Sequence, residues 1–204
     1  MTTTLWLIRH GETDWNVEQR FQGSSDKPLN AHGKAQATSL VPRLAEMSFD
    51  TIYASDLIRV QQTAHFALGG NTDTLISDAR LRELHFGTWE GLTWKEANDK
   101  FGAEFALWAD NRDLSPHGGE TISDVVVRVE SFLETIRSKH QDDDNILIFA
   151  HGGVLAVLVC LLLDTNPTQW WKFRFLNCTI NEVVLANRGA ILARLNDARH
   201  LDDL

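Results

Sequence analysis

Two short, largely apolar runs, LWLI at residues 5–8 and NILIFA at residues 145–150, constrain this chain more than any other feature, because a histidine and a glycine follow closely after each. Apolar residues without alternation suit a strand covered on both faces, which points to a parallel sheet flanked by helices. Arg9-His10-Gly11 follows the first run and His151-Gly152-Gly153 the second. Open α/β sheets hold their ligands at the carboxyl ends of such strands, so both histidines fall where a site belongs. Core packing gives no reason for two buried strands to deliver a histidine at the same end.

The chain between them alternates helix and strand. Residues 11–28 are polar, with Gly23, Ser24, Ser25 and Pro28, and read as a loop that carries the amide side chains Asn16 and Gln22. Asn30 is a suitable cap for a helix to residue 47, with Ala37, Leu40, Val41 and Leu44 as its apolar face and Pro42 as a kink. Residues 49–54 read as the second strand. Ser55 and Asp56 then read as caps of a helix whose first turn carries Arg59, beside exposed N–H groups that favour anions. Gly69-Gly70 ends that helix, and residues 74–77 suit a short strand. Arg82-Glu83-Leu84 comes next, then the dense run HFGTWEGLTW. Residues 93–109 suit one or two helices bearing Trp94, Phe101, Phe105 and Trp108. Beyond a turn at 115–119, a long helix to residue 139 has Val125, Val129, Phe132, Leu133 and Ile136 as its buried stripe. Residues 154–163 suit a helix buried nearly all round. A short amphipathic segment at 168–173 precedes a hairpin of 179–186 and 190–195 around Asn187-Arg188-Gly189.

With 204 residues and no linker or internal repeat, a single domain over 1–204 is expected. The amino terminus lacks the basic and apolar regions of a signal peptide, and the apolar stretch at 154–163 is too short to span a bilayer. Cys160 and Cys178 show no metal or disulfide spacing, which suits reduced, buried thiols in the cytoplasm. A net charge of −9 argues against nucleic acid or an anionic membrane as partner. An anionic ligand would then depend on local cations, since salt screens the remaining charge over about 10 Å.

Four pieces of this sequence together resemble the histidine phosphatase superfamily, the phosphoglycerate mutase-like proteins. They are RHGETDWN, SDLIRVQQTA, REL followed by FGTWEG, and HGG, and the likeness runs from about residue 5 to 195. It implies a three-layer α/β/α sandwich with a mostly parallel central sheet, and a small helical insertion at about 86–120 that covers the pocket and chooses the substrate. It also implies that His10 is a nucleophile forming a phosphohistidine, that Arg9 and Arg59 grip the phosphoryl oxygens, and that His151 is the second pocket histidine. Asn16 and Gly152 become phosphate ligands, Gln22 and Gly23 border the pocket, and Glu83 is the proton donor, with Glu90 the less suited substitute.

No cofactor or metal is implied, because arginine charge replaces that of an ion. A zinc site of His10, Glu12 and His151 is the alternative, but neither an HExxH motif nor a cysteine pair accompanies it. The expected partner is a small-molecule phosphate ester; the oligomeric state is not legible. FGTWEG and PHGGET resemble segments of bacterial α-ribazole phosphatases of cobalamin assembly, with His117 standing where a proline is commoner. The implied activity is therefore hydrolysis of a small phosphate monoester, with α-ribazole 5'-phosphate as a candidate. A cofactor-dependent phosphoglycerate mutase and a noncatalytic phosphate-binding protein on the same fold are the alternatives.

Overall fold

A computed structural model describes residues 2–111, 114–140, 143–202 and 204. Residues 112 and 113 of the expected insertion lie outside the described residues. Six strands form one sheet: β1 (Thr2–Arg9), β2 (Thr51–Ala54), β3 (Leu75–Ser77), β4 (Asn145–Ala150), β5 (Ile180–Ala186) and β6 (Gly189–Asp197). Their order is β3-β2-β4-β1-β5-β6. The first four run parallel, while β5 is antiparallel to both β1 and β6.

Helices cover both faces, as the unbroken apolar runs require. On one face α2 (Ala31–Thr38), α3 (Val41–Ala45) and α4 (Ile58–Ala67) pack on Ile8, Leu147, Phe149 and Ile180. On the other, α6 (Ile122–Lys139) and α7 (Gly152–Leu162) pack on Leu5, Leu7, Ile146, Ile148 and Val183. Alternate residues of β1 and β4 thus serve opposite cores. In α7, Val154–Cys160 are all buried, and each large aliphatic side chain among them contributes about 1.5–3 kcal/mol. Thr121 and Asp124 form a reciprocal capping box at the start of α6.

Several local expectations needed tertiary correction. The helix expected to run through residue 47 breaks after Thr38 and restarts at Val41, with Pro42 in the new first turn, where its missing N–H costs nothing. The polar loop contains one helical turn, α1 (Asp14–Val17), capped by Thr13 and Asn16. Ser55 and Asp56 do not cap α4. Its N-cap is Leu57, and the Ile58 amide is taken at 2.7 Å by Asp26 Oδ1 from the preceding loop. Asp56 instead pairs with Arg82. Within the insertion, α5 (Trp94–Asp110) kinks at Gly102, where φ is +43°. Trp89, Phe105 and Trp108 are buried against Phe21 and Phe86, with Trp94 half-exposed beside them, so the aromatic run builds a separate small core.

Candidate active site

The sheet order explains the site. β1 and β4 are parallel neighbours in register, with Arg9 opposite Ala150, and the ladder continues through the His10 amide to the Ala150 carbonyl at 3.0 Å. The next residue on β4 is His151, so its ring and that of His10 meet edge to face with centroids 5.2 Å apart. Both rings are buried.

His10 is held on three sides. Its carbonyl accepts from Asn177 Nδ2 at 2.7 Å, and the following Gly11 amide donates to Thr63 Oγ1 at 3.0 Å. Its ring Nδ1 lies 2.7 Å from the Gly11 carbonyl. A carbonyl only accepts, so Nδ1 carries the proton and, in the neutral ring, Nε2 carries the lone pair. Burial, followed by the charges of Arg59 and Arg9, holds the His10 pKa well below the ordinary histidine value. Close backbone approach is essential here: a Cβ on Gly11 would meet the Gly33 carbonyl oxygen at 2.5 Å.

Arg9 Nη1 donates to the Phe175 carbonyl at 2.9 Å, while its buried Nε has no hydrogen-bond partner among the described residues. A buried guanidinium N–H without an acceptor suits an incoming anion. Arg59 is fully buried in the first turn of α4. It donates to the Gly23 and Ser25 carbonyls at 2.7 and 2.8 Å and to His151 Nδ1 at 3.2 Å. Burial pushes its pKa down to about 10, with Glu83 and Asp26 offsetting part of that, so it remains a cation at neutral pH. Because His151 Nδ1 accepts from Arg59, the proton of its neutral ring sits on Nε2, which faces Ser55 Oγ at 2.9 Å. In this arrangement both His151 nitrogens are engaged by protein groups. Burial, Arg59, His10 and Arg9 lower its pKa well below the usual range.

Glu83 reaches the same corner from the far side. Its Oε2 accepts from the Gly153 amide at 3.0 Å, and its Oε1 from the Val154 and Leu84 amides at 3.1 and 3.0 Å. The carboxylate thus caps the start of α7, where helix geometry leaves N–H groups free and favours negative charge. The amide of Gly152 takes no part in these bonds, and this residue lies beside Arg9, whose Nε would be 3.4 Å from a Cβ placed there.

Glu90 is occupied differently. Its carboxylate accepts from the Ser24, Ser25 and Phe86 amides, from Ser25 Oγ, and bonds His85 Nδ1 at 2.6 Å. Burial raises its pKa, but the hydrogen bonds from Ser25, His85 and Ser24 outweigh that and hold it below the usual value. Glu90 fastens the loop whose carbonyls grip Arg59, which is a poor position for a proton donor.

Asn16 and Gln22 meet at Thr13, whose Oγ1 lies 3.1 Å from Asn16 Oδ1 and 3.0 Å from Gln22 Oε1. Gly23, with φ of +53°, turns its carbonyl onto Arg59. Glu12, the third ligand of the zinc alternative, directs its carboxylate to Asn30 Nδ2 at 2.9 Å. No three His, Cys, Asp or Glu side chains among the described residues are grouped to hold a metal ion.

Four contributors were not legible in the sequence. Ser55 read as a helix cap and is the partner of His151; Thr63, Asn177 and the Phe175 carbonyl lie far along the chain from the groups they hold. Only the sheet order, which sets β2 beside β4, brings Ser55 to His151.

Known proteins share this fold. Residues 5–198 match the model of the histidine phosphatase superfamily, branch 1. The phosphoserine phosphatase 1 of Hydrogenobacter thermophilus is 30% identical over 98% of this chain and 94% of its own. The glucosyl-3-phosphoglycerate phosphatase of Mycobacterium tuberculosis is 36% identical over 81% and 78%. Among solved structures, the α-ribazole phosphatase of Shigella flexneri superimposes with a TM-score of 0.88 at 33% identity, over 96% of each chain. A sheet whose neighbouring strands bring two buried histidines together, one of them bonded to the buried Arg59, in a chain matched over residues 5–198 by that family's model, makes this chain a member of the histidine phosphatase superfamily.

Proposed function

We propose that this histidine phosphatase hydrolyses a small phosphate monoester through a phosphohistidine on His10, acting as one cytoplasmic domain without metal or cofactor. The observation that carries the reading is the His10 ring itself. Its Nδ1 proton is committed to the Gly11 carbonyl, which leaves the lone pair on Nε2, and the nearby charges of Arg59 and Arg9 help burial to depress its pKa.

Phosphate esters are so inert that enzymes reach accelerations of about 10²¹, so charge, position and covalent catalysis have to act together. Arg9 and Arg59, with the Gly152 amide and Asn16, neutralise and orient the phosphoryl oxygens. Each charge-assisted bond contributes about 1.5–3 kcal/mol. In the first step His10 Nε2 attacks phosphorus in line; the N–P bond forms as the P–O bond to the leaving group breaks. Glu83 gives that oxygen its proton. In the second step the Glu83 carboxylate takes a proton from water, whose oxygen attacks phosphorus, and phosphate leaves with His10 restored. The Leu84, Gly153 and Val154 amides hold the Glu83 carboxyl in place for both steps.

The alcohol half of the ester is the finer question. The FGTWEG and PHGGET segments favour α-ribazole 5'-phosphate, and the named relatives add phosphoserine and glucosyl-3-phosphoglycerate as candidates. Comparison of kcat/KM across these esters, with 3-phosphoglycerate tested for mutase turnover, separates them. The chemistry is tested by quenching the enzyme during turnover of a ³²P-labelled ester. Acid-labile, base-stable label on His10 is expected, and His10→Ala should lose turnover while still binding phosphate. Label elsewhere, or turnover by His10→Ala, overturns the proposal.

A further inference from the structure

Glu83 has to present its carboxyl to a leaving group from a turn at the edge of the sheet, and the structure shows how that turn is held. Arg128, midway along α6, reaches across to it. Its Nη1 donates to the Arg80 and Arg82 carbonyls, both at 2.7 Å, and its Nη2 to the Glu83 carbonyl at 3.3 Å. Its remaining donors go to Glu120: Nε to Oε1 at 3.0 Å and Nη2 to Oε2 at 3.1 Å. Glu120 Oε2 also accepts from the His85 amide at 2.9 Å, two residues beyond Glu83. One ion pair therefore grips the chain on both sides of Glu83.

A guanidinium has five N–H donors, and these contacts use all five, so Arg128 has none left for a substrate. A lysine cannot replace it, because a single ammonium does not reach three carbonyls and a carboxylate in one plane. The neighbouring Leu81 and Leu84 are buried and fix the depth of the turn. They leave its rotation open, and rotation decides whether the Glu83 carboxyl meets α7 and the pocket.

We propose that Arg128 and Glu120 are positioning residues that set the orientation of the Glu83 carboxyl, and through it the protonation of the leaving group, without touching substrate. This rests on Glu83 being the acid. The test compares kcat/KM for p-nitrophenyl phosphate, whose leaving group needs little protonation, with that for β-glycerophosphate, whose alkoxide needs it. Catalysis by a well-placed acid is worth about 10²–10⁴-fold, so loss of alignment in Arg128→Lys should cost about tenfold or more on the alkyl ester. The aryl ester and the affinity for inorganic phosphate should change less than about threefold, well inside that acid effect. In a Glu83→Gln background Arg128→Lys should add no further loss on the alkyl ester. Glu120→Gln, which keeps size and removes the charge, should show the same selective loss and serves if Arg128→Lys does not fold. Equal losses on both esters, or full additivity with Glu83→Gln, overturn the clamp alone. If Glu83→Gln by itself slows both esters equally, the acid assignment falls and the clamp falls with it.

Discussion

Replacing Gly153 with alanine tests the placement of Glu83, the proposed proton donor, with one methyl group. The added Cβ would stand 2.6 Å from Glu83 Oε1 and 3.3 Å from its Cδ. Gly153 has no left-handed φ, and alanine is the better helix former by about 1 kcal/mol, so α7 itself tolerates the change. The conflict falls on the carboxylate, the mobile end of a side chain, which must retreat from 2.6 Å to an ordinary contact near 3.4 Å, about 0.8 Å. That retreat stretches the bonds from the Gly153 and Val154 amides, now 3.0 and 3.1 Å. With charge-assisted bonds worth about 1.5–3 kcal/mol and partial offset by helix propensity, the net loss of stability should be about 1–2 kcal/mol. For a chain of this size that lowers Tm by roughly 2–8 °C. The catalytic effect should be larger, because a displacement near 1 Å in a reacting constellation costs up to about 10²-fold. The assay is kcat/KM on β-glycerophosphate and p-nitrophenyl phosphate at temperatures well below both Tm values. A loss of about 10–100-fold on the alkyl ester is expected, with a much smaller one on the aryl ester. Wild-type turnover of the alkyl ester in a folded Gly153→Ala protein refutes the reasoning.

Two further outcomes follow from packing and protonation. A Cβ on Gly33 would meet the Glu12 backbone, with its nitrogen 2.6 Å away, so Gly33→Ala should cost about 3 kcal/mol, the upper range for overpacking; an unchanged denaturant midpoint contradicts this. His10 and His151 bind fewer protons folded than unfolded, because both pKa values are depressed. The stability they contribute is complete above about pH 6.5 and is lost as pH falls from there toward the folded values. Thermal melts between pH 5 and 8 should show that slope, and it should be shallower in His10→Asn. Long-range ¹H–¹⁵N spectra of the ligand-free protein should place the His10 transition below pH 6.5, and a transition at or above that value removes the argument for a neutral nucleophile.

Sequence and structure divide the protein along a physical line. The strand cores at 5–8 and 145–150, the mixed α/β class and the two histidines were legible because hydrophobic periodicity and abrupt polar stops are local properties of the chain. The amphipathic stripe of α6 and the all-round burial of α7 were legible for the same reason. What escaped were contacts with no local signal. Ser55 has the chemistry of a cap and became the partner of His151, because β2 lies next to β4 in the sheet. Asp26 caps α4 from another loop, and the aromatic residues of the insertion closed on one another.

The residue types that can perform phosphoryl transfer were therefore set by the chain alone. Their protonation and aim were decided only in three dimensions. Which nitrogen of His10 keeps its proton depends on a carbonyl 2.7 Å away, and where Glu83 points depends on a helix that begins about seventy residues later. Burial and hydrogen-bond geometry exist only once distant segments have been brought together by the sheet.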